Sequence, residues 1–347
     1  MPQHTVFRFP TRTAFEDLAS YQEDIPKPSS HEVLIKVRAV SLNSRDCQIA
    51  TSQYPFAIKD HVIPASDAAG EIVDVGDAVH EFSKGDRVVT CFDLTRLYGP
   101  AKHEVAGQAG GGVDGVMAQY IVRPAAAIVK VPAGSPQSFS ELASLVCTGV
   151  TAWNAFYGNN QLIPGQTVLV QGTGGVSMTA LVLAKAAGAI TIVTSSSDEK
   201  LRVVKEKFNP DYCINYTKTP DWASEAVKFT RGKGVDYILE IGGSGTIEQS
   251  LSAITRGGII AIIGYLAKLN HTQAPDILLL ALKKEAILRG ILVGPRCMLE
   301  DLVAFVSRKK LRFQIDKEFG FSREDIVAAY NASASGKHIG KICIVLE

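Results

Sequence analysis

The sequence predicts an α/β fold, in which a segment rich in short strands is followed by a parallel sheet wrapped by helices. Three observations support this prediction. Before about residue 130, short β-branched runs alternate with turns that contain Gly and Asp. From Gln166 onward, strand-like runs alternate with helical segments, which is the pattern of a doubly wound parallel sheet. At residues 168–175, one of these runs enters a glycine turn that leads directly into a helix.

Length and composition set limits on the class of protein. The chain has 347 residues, of which 46% are hydrophobic, and this predicts two domains with a sizeable core. A net charge of +1 and the lack of a basic run argue against a nucleic-acid surface. The N-terminus has no apolar signal-like region, and the longest apolar runs, such as residues 277–282, are too short for a membrane span. Six cysteines without C-x-x-C spacing indicate reduced thiols, so a cytoplasmic protein is expected.

The first part of the chain is predicted to be rich in strands. Residues 84–87 (KGDR) form a turn that leads into one of them. Strands are expected at residues 33–40, 69–75, 88–90, 119–122 and 127–131.

The second part is predicted to alternate strands with helices. Strands are expected at residues 168–170, 190–193, 212–214, 235–241, 259–264 and 287–292, with helices that end at 187 or begin at 198, 222 and near 246. Residues 295–347 contain two short helices and a closing strand at 341–346, which is too little for a domain of its own. We therefore expect domains at 1–130 and 131–294, with 295–347 returning to the first.

The glycine turn predicts a site for a dinucleotide phosphate. Gly172 permits the tight turn, Gly174 and Gly175 allow the backbone to approach a pyrophosphate, and the helix beyond offers unpaired N–H groups. Thr173, within the turn, and Val176, at the start of the helix, are also predicted to bind the cofactor. The last glycine of the G-x-G-x-x-G pattern is replaced by Ser177. The alternative is a loop that serves only the packing of the strand against the helix.

The end of the next strand indicates which nucleotide is bound. An NAD site places Asp or Glu about 20 residues after the glycines. This chain has Ser195, Ser196 and Ser197 there, followed by Lys200. Hydroxyls and a lysine suit a 2′-phosphate, so NADPH is predicted as the cofactor. Asp198 and Glu199 are assigned to the first turn of the following helix, where they serve its dipole.

Several further motifs identify a resemblance to a known family. They are SLNSRD at residues 41–46, PASDAAGEI at 64–72 with Val75-Gly76, KGDRV at 84–88, CTGVTAWNA at 147–155, INY at 214–216 and GKHIGK at 336–341. Together with the glycine turn, they resemble the medium-chain dehydrogenase/reductase superfamily over essentially the whole chain. Within it, the chain is similar to the zinc-independent, quinone-oxidoreductase-like branch. This resemblance implies a GroES-like, β-rich catalytic domain joined to a Rossmann domain.

The resemblance also bears on zinc. At the positions where zinc alcohol dehydrogenases of this superfamily have Cys, His and Cys ligands, this chain has Asn43, Ser66 and Cys147. An amide and a hydroxyl bind Zn²⁺ poorly, so no metal is expected. The four-cysteine structural zinc lobe is also missing from the sequence. His61 or His103 replacing a ligand is the alternative.

The resemblance assigns several residues to the cofactor. Asn43 and Thr151 would contact the nicotinamide ribose, with Asn43 also near the substrate, and Lys200 with Tyr216 would flank the 2′-phosphate. Gly242, Ile263, Gly264, Ile291 and Val293 would line the nicotinamide slot, and Lys341 would approach the phosphates. Each glycine or aliphatic residue in this set has plain strand-end packing as its alternative.

Tyr54 is the leading candidate for the proton donor, with Asn43 as the second catalytic residue. Tyr54 matches a tyrosine of related enoyl and quinone reductases, and a phenol can donate to a developing enolate. Its alternative is an ordinary half-buried tyrosine beside a proline turn. Arg45 and Asp46 are expected to form a structural ion pair. The substrate pocket is assigned to residues that follow the strand at 88–90, namely Phe92, Leu94, Leu97 and Tyr98.

The predicted function is a zinc-independent, NADPH-dependent reduction of a conjugated carbonyl, such as a quinone, an enone or an enoyl-type substrate. Such acceptors are already polarised, so orientation and one hydrogen bond can replace the Lewis acid that alcohol oxidation requires. Interconversion of ketones or aldehydes with alcohols is the runner-up, and a non-catalytic NADPH-binding protein is the rival class. The resemblance also implies a homodimer.

Overall fold

The computed structural model describes residues 2–101, 106–266 and 275–347. The chain forms two compact units. The first unit comprises Met1–Val150 and Val293–Glu347, and the second comprises Thr151–Leu292. Residues 131–150 and 293–294, expected in the Rossmann domain from the sequence, fall in the first unit by this division.

The elements are numbered along the chain. The strands are β1 (Gln3–Arg8), β2 (Ala19–Asp24), β3 (Glu32–Ser41), β4 (Asp67–Val75), β5 (Arg87–Thr90), β6 (Tyr120–Pro124), β7 (Ile128–Lys130), β8 (Thr167–Gln171), β9 (Ile190–Ser195), β10 (Tyr212–Asn215), β11 (Val235–Glu240), β12 (Ile254–Ile262), β13 (Ile287–Gly290), β14 (Ile315–Phe319) and β15 (Lys341–Val345). The helices are α1 (Ser44–Ala50), α2 (Phe139–Ser144), α3 (Val150–Tyr157), α4 (Gly175–Ala186), α5 (Asp198–Phe208), α6 (Trp222–Phe229), α7 (Ile247–Ala253), α8 (Ile277–Lys284), α9 (Arg296–Lys309) and α10 (Arg323–Ala334). A π-helical turn, Leu145–Gly149, joins α2 to α3.

The first unit is built on a mostly antiparallel sheet that the C-terminal segment completes, with β14 parallel to β15. Its strand order is β14-β15-β3-β4-β5-β7, with β6 paired to β3 and a separate hairpin of β1 and β2. Strand β15 pairs antiparallel to β3, with Cys343 opposite Ser41. This register brings the start of β15 next to the end of β3, where α1 begins. The core beneath contains aromatic side chains such as Tyr330 and Phe9, whose rings meet edge to face at 5.9 Å.

The second unit is a parallel sheet with the strand order β10-β9-β8-β11-β12-β13. The order reverses direction between β8 and β11, and ligands of such sheets bind at the carboxyl ends of the strands beside that point. All five residues of β8 are buried, because helices cover both faces of a doubly wound sheet. The core includes Leu169, Ile192 and Ile238 from three neighbouring strands.

The predicted fold class is confirmed, and every strand predicted between residues 166 and 292 is present with small shifts at its ends. The sequence analysis did not predict the hairpin of β1 and β2, the helices α1, α2, α3 and α8, or strand β14. Helices α1 and α2 are short, and each depends on a capping residue, Asn43 or Ser138, rather than on a long apolar period. Within the described ranges, no helix is both long and apolar enough to span a bilayer.

Candidate functional site

In the second unit, the glycine turn lies at the carboxyl end of β8. Gly172 has φ +75°, in the left-handed region that glycine adopts without strain, and Gly174 is the N-cap of α4. A Cβ placed on either glycine would meet no described atom within 4 Å. The turn therefore borders open space on the side that a pyrophosphate would occupy, in front of the N-terminus of α4.

Ser177, which replaces the last glycine of the motif, is buried in the first turn of α4. Its hydroxyl donates to the carbonyl oxygen of Gln171 at 2.6 Å. The hydroxyl is thus satisfied by the last residue of β8. Ser177 in place of glycine therefore adds a hydrogen bond between α4 and β8.

A buried carboxylate that the sequence analysis missed lies beside this turn. Glu240 ends β11 and is fully buried. Its oxygens accept from the Gln171 side chain at 2.8 Å, from the Gly243 N–H at 2.8 Å, and from the hydroxyls of Thr246 and Ser250. Four donors from three elements thus converge on one side chain. An acidic residue at the end of an otherwise apolar strand, followed by Gly242 and Gly243, was the signal for it in the sequence.

The same network positions the residues assigned to the nicotinamide slot. The Gln171 side-chain oxygen accepts from the N–H groups of Ile241 and Gly242, at 3.0 and 3.2 Å. The Glu240 carbonyl oxygen accepts from Ile263 and Gly264, at 2.9 and 3.2 Å. A Cβ on Gly264 would lie 2.3 Å from the Ile241 carbonyl oxygen, so only glycine fits there.

The other residues assigned to the nicotinamide or its ribose lie elsewhere in the chain. Ile291 is buried and donates from its N–H to the Ile262 carbonyl at 2.9 Å, beside Ile263. Thr151 is buried in α3 at the start of the second unit. Val293 is the first residue of the returning segment of the first unit, and its φ of +54° is unusual for a β-branched residue.

Ser195, Ser196 and Ser197 form the hydroxyl cluster, which lies between the end of β9 and the start of α5. Ser195 is buried, Ser196 is exposed, and Ser197 is the N-cap of α5, accepting from the Lys200 N–H at 3.3 Å. The N–H of Tyr216 donates to the Ser195 carbonyl at 3.0 Å, so the structure brings Tyr216 beside the serines. Tyr216 itself is 42% exposed.

The two carboxylates next to this cluster are occupied by other partners. Asp198 accepts from the Asn215 side chain at 2.6 Å and pairs with Lys218, and its pKa is lowered chiefly by the Asn215 hydrogen bond. Glu199 pairs with Arg202 at 2.6 Å. Both interactions agree with the structural role that the sequence analysis gave these carboxylates.

In the first unit, Asn43 lies between β3 and α1 and is buried. Its side-chain oxygen accepts from the Lys341 ammonium at 2.6 Å, and its N–H donates to the Asp46 carboxylate at 2.7 Å. The Lys341 ammonium also donates to the Leu42 carbonyl at 2.6 Å. Lys341, assigned to the phosphates by resemblance, is thus buried in the first unit with its ammonium against Asn43 and Leu42.

The other two positions that match zinc ligands flank Asp67. Ser66 donates its hydroxyl to one Asp67 oxygen at 2.6 Å, and the Cys147 N–H donates to the other at 3.1 Å. Burial raises the pKa of Asp67, and the Lys341 charge opposes that rise. Burial also raises the pKa of the Cys147 thiol well above its ordinary value.

These side chains do not fit a catalytic zinc. The Asn43 oxygen already accepts from an ammonium, and the Ser66 hydroxyl is committed to a carboxylate. Among the described residues, no three His, Cys, Asp or Glu side chains form a group that could hold a metal ion. His61 is exposed, and its carbonyl accepts from Arg8. His103, the other alternative ligand, lies outside the described residues.

Tyr54 lies near Arg45 and Phe92. It is half-buried, and the Arg45 guanidinium carbon is 5.2 Å from the centroid of its ring and 4.7 Å from that of Phe92. The nearest oxygen of Asp46 is 3.8 Å from Arg45, so the expected ion pair is present but long. The pKa of Asp46 is raised to about 6 by burial, against the opposing charge of Arg45.

The four residues assigned to the substrate pocket differ in exposure. Phe92 is buried against Arg45, Leu94 and Leu97 are half-buried, and Tyr98 is 71% exposed. The Leu97 carbonyl accepts from the Cys297 N–H at 3.1 Å, which ties this segment to the start of α9.

The chain combines an antiparallel unit completed by its C-terminus with a parallel-sheet unit whose glycine turn suits a dinucleotide, which together define a nicotinamide-dependent dehydrogenase. Two family models match it. Residues 29–133 match the alcohol dehydrogenase GroES-like domain, and residues 175–308 match the zinc-binding dehydrogenase domain. The chain belongs to the medium-chain dehydrogenase/reductase superfamily, as the motifs predicted.

Similar proteins and solved structures support the same superfamily. A zinc-type alcohol dehydrogenase-like protein of Schizosaccharomyces pombe is 41% identical over 340 residues, covering 96% of this chain and 97% of that protein. A Sinorhizobium meliloti protein, assigned as an alcohol dehydrogenase, has a crystal structure that matches with a TM-score of 0.89 at 34% identity, covering 100% of both chains. A quinone oxidoreductase of Pseudomonas syringae, at 23% identity and a TM-score of 0.79 over 99% of this chain and 100% of that one, shares the fold.

Proposed function

We propose that this protein is a zinc-independent, NADPH-dependent reductase of conjugated carbonyl compounds, such as quinones, enones or enoyl-type substrates. The observation that carries the proposal is the ammonium of Lys341 on the side-chain oxygen of Asn43, at 2.6 Å. This contact engages the side-chain oxygen of Asn43, the atom that would have to take the place of the first zinc ligand. Without a Lewis acid, the oxidation of an unactivated alcohol loses several kcal/mol of charge stabilisation, whereas a conjugated acceptor needs less help.

The preference for NADPH is proposed from the end of β9. Three serines and Lys200 lie there, and the adjacent carboxylates of Asp198 and Glu199 are engaged by Lys218 and Arg202. A free carboxylate at this point would repel a 2′-phosphate and accept from a 2′-hydroxyl. Hydroxyl and ammonium donors favour the phosphate instead.

The cofactor would be held by the turn Gly172–Gly175, by the cluster at the end of β9, and by the strand ends that Glu240 and Gln171 organise. When bound, it supplies the hydride. The chain supplies orientation and a proton. Tyr54 donates from its phenol to the carbonyl oxygen of the substrate, so that the charge developing on the enolate is neutralised. Asn43, held by Lys341 and Asp46, contributes a fixed polar group to the same unit.

The test is a screen of NADPH oxidation against quinones, enones, enoyl thioesters and simple ketones. The proposal requires kcat/KM to be at least about tenfold higher for the best conjugated acceptor than for any unconjugated ketone. A higher value for a ketone or an aldehyde would establish the second candidate, carbonyl–alcohol interconversion. That candidate is favoured by the relatives named as alcohol dehydrogenases, including one of Geobacillus stearothermophilus at 27% identity over 334 residues. NADPH binding without turnover of any class would indicate the non-catalytic alternative.

We also propose a homodimer, formed through the second unit. Helix α8 exposes large apolar side chains, with Leu278 83% exposed and Leu282 75% exposed. Strand β13 ends the order of the parallel sheet. An apolar helix face beside a sheet edge is typical of an interface between copies. Light scattering on the wild type and on L278K/L282K would test it, since the double variant is expected to be monomeric.

A cytoplasmic location is proposed from the six free thiols.

A further inference from the structure

Arg45 is a buried cation with two aromatic rings close to its guanidinium group. It is the second residue of α1 and is only 8% exposed. The Phe92 and Tyr54 rings lie 4.7 and 5.2 Å from its guanidinium carbon. Cation–π contacts of this kind restrict the motion of the group, and its N–H bonds lie in its plane, so it forms hydrogen bonds along its edges.

One edge of this guanidinium has no acceptor among the residues that the structure describes. Nη1 donates to the Ala109 carbonyl at 3.0 Å. Nε and Nη2 are buried and make no hydrogen bond to any described group. These two nitrogens carry parallel N–H bonds on the same edge, which is the arrangement that binds both oxygens of a carboxylate.

Arg8, in the same unit, shows what this edge does when an acceptor is present. Its Nε donates to one oxygen of Glu23 at 2.6 Å, and its Nη2 donates to the other at 3.1 Å. The pair of donors that is satisfied in Arg8 is therefore the pair that is left over in Arg45. Buried N–H groups of a charged side chain without acceptors cost free energy, and an acceptor from a ligand would recover it.

Gly111 lies directly beside this edge and leaves no room there for a side chain of its own. A Cβ placed on Gly111 would lie 2.6 Å from Nη2 of Arg45 and 3.7 Å from the end of the Ile58 side chain. Any larger residue would therefore press on the nitrogen that lacks an acceptor. The Gly111 carbonyl is held by the Lys59 N–H at 2.9 Å, which fixes the backbone there.

We propose that Nε and Nη2 of Arg45 form a binding site for a carboxylate of the substrate, so that the protein acts on conjugated carbonyl compounds that also carry an acid group. The identity of the ligand as a substrate rests on the proposed reductase function. Two parallel donors match two carboxylate oxygens, whereas a lone carbonyl oxygen would leave one donor unsatisfied. A site that binds a polar group in this way discriminates strongly against an analogue without it.

The test uses two probes that differ only in charge, trans-3-benzoylacrylate and its methyl ester. Both are conjugated ketones, and only the first has a free carboxylate. Binding of each to the full chain, saturated with NADP⁺ so that no turnover occurs, is measured by calorimetry. Reduction of each with NADPH is measured separately. The variants are R45K, R45Q and G111A, with R38Q as the matched control, because the Arg38 guanidinium already pairs with Glu71 at 3.0 Å.

The wild type is expected to bind the acid about 10- to 100-fold more tightly than the ester, the range for charge-assisted hydrogen bonds. R45Q and G111A should remove this preference by weakening the acid alone, R45K should retain part of it, and R38Q should leave it unchanged. Equal affinity of the wild type for the two probes would overturn the proposal, as would an equal loss for both probes in R45K and G111A. Affinity for NADP⁺ and thermal stability, measured on each variant, show whether it is folded.

Failure of this inference can be told apart from failure of the proposed function. If neither probe is reduced but the acid is bound preferentially through Arg45, the carboxylate site stands and the activity towards these acceptors is wrong. If both probes are reduced with equal kcat/KM and equal affinity, the reductase function stands and the carboxylate site is wrong.

Discussion

The ammonium nitrogen of Lys341 lies 2.6 Å from the side-chain oxygen of Asn43, and both residues are buried in the first unit. Strand β15 brings the lysine from the C-terminal end of the chain, 298 residues after the asparagine. The pairing of β15 with β3 therefore supplies a fixed positive charge beside α1. This charge faces Asp46 and Asp67, which are both fully buried.

The first prediction concerns zinc. We expect the purified protein to contain substoichiometric zinc and to keep its NADPH-dependent activity in the presence of a chelator, because an amide that accepts from an ammonium and a hydroxyl that donates to a carboxylate are poor ligands. Elemental analysis and assays with and without chelator provide the measurement. One tightly bound zinc per chain, or inactivation that added zinc reverses, would contradict this reading of the site.

The second prediction concerns the nucleotide. NADPH should bind at least tenfold more tightly than NADH, equivalent to about 1.4 kcal/mol. K200A should weaken NADPH selectively and leave NADH nearly unchanged. K205A is the matched control, since it removes an exposed lysine from the same helix, α5, away from the serine cluster. Fluorescence titration of both nucleotides measures the effect, and equal affinities in the wild type would refute the assignment.

The third prediction concerns Glu240. Replacing it by Gln places an amide against side chains and an N–H that all donate, so at least one buried donor loses its acceptor. We expect E240Q to lower the free energy of unfolding by about 2 to 4 kcal/mol. NADPH affinity should fall as well, because Gln171 and Gly243 lose their anchor. E248Q, on the exposed side of α7, should change neither property. Denaturant unfolding and nucleotide titration distinguish the two variants.

The fourth prediction concerns pH. The pKa of Asp46 is raised from 3.8 to about 6, chiefly by burial, with Arg45 and Lys341 opposing the rise and Asp67 adding to it. A raised pKa in the folded state means that ionising Asp46 destabilises the fold, so this cost is absent below about pH 4 and complete above about pH 6.

D46N should remove that cost while its amide oxygen still accepts from the Asn43 N–H. The variant should therefore gain stability relative to the wild type as pH rises from 4 to 7, by up to about 3 kcal/mol. Unfolding at a series of pH values measures the difference. D60N, an exposed carboxylate, is the control and should show no such trend. If the difference in unfolding free energy between D46N and the wild type does not grow with pH, the fold does not favour the protonated form of Asp46.

Local sequence patterns were sufficient for the strands of the second unit, although its helices α3 and α8 were not predicted. The central strands β8 and β11 are short apolar runs in a covered sheet, and the turn at Gly172 needs a glycine at φ +75°, so pattern and structure agree. The N-terminal hairpin was missed because β2, with the sequence ASYQED, is mostly polar and is a strand only through its pairing with β1. Strand β14 was missed for the same reason, since its central residues are charged and it depends on β15.

Site residues could be predicted from the sequence where the residue type and its immediate neighbours suffice. They could not be predicted where the role depends on a contact with a residue far away in the chain. Gly172 and Ser195 could be assigned from the sequence next to them. The role of Lys341 could not, because its contact with Asn43 depends on the register of β15 against β3. Arg45 was expected to pair with its neighbour Asp46, and the long 3.8 Å separation became visible only with the packing of Phe92 and Tyr54.

The last prediction concerns the proton donor. If the phenol of Tyr54 donates to the developing enolate, Tyr54→Phe should lower kcat by about 10²-fold, the low end expected for general acid catalysis, since water can substitute in part. NADPH affinity should barely change. The ring also packs on Arg45 and against Phe56 at 5.3 Å, and phenylalanine preserves both contacts, so thermal stability should be retained. Tyr21→Phe, on the exposed strand β2, is the control and should leave kcat unchanged. A Tyr54→Phe enzyme with an unaltered kcat on its best conjugated substrate would assign the proton to solvent or to a group held near Asn43.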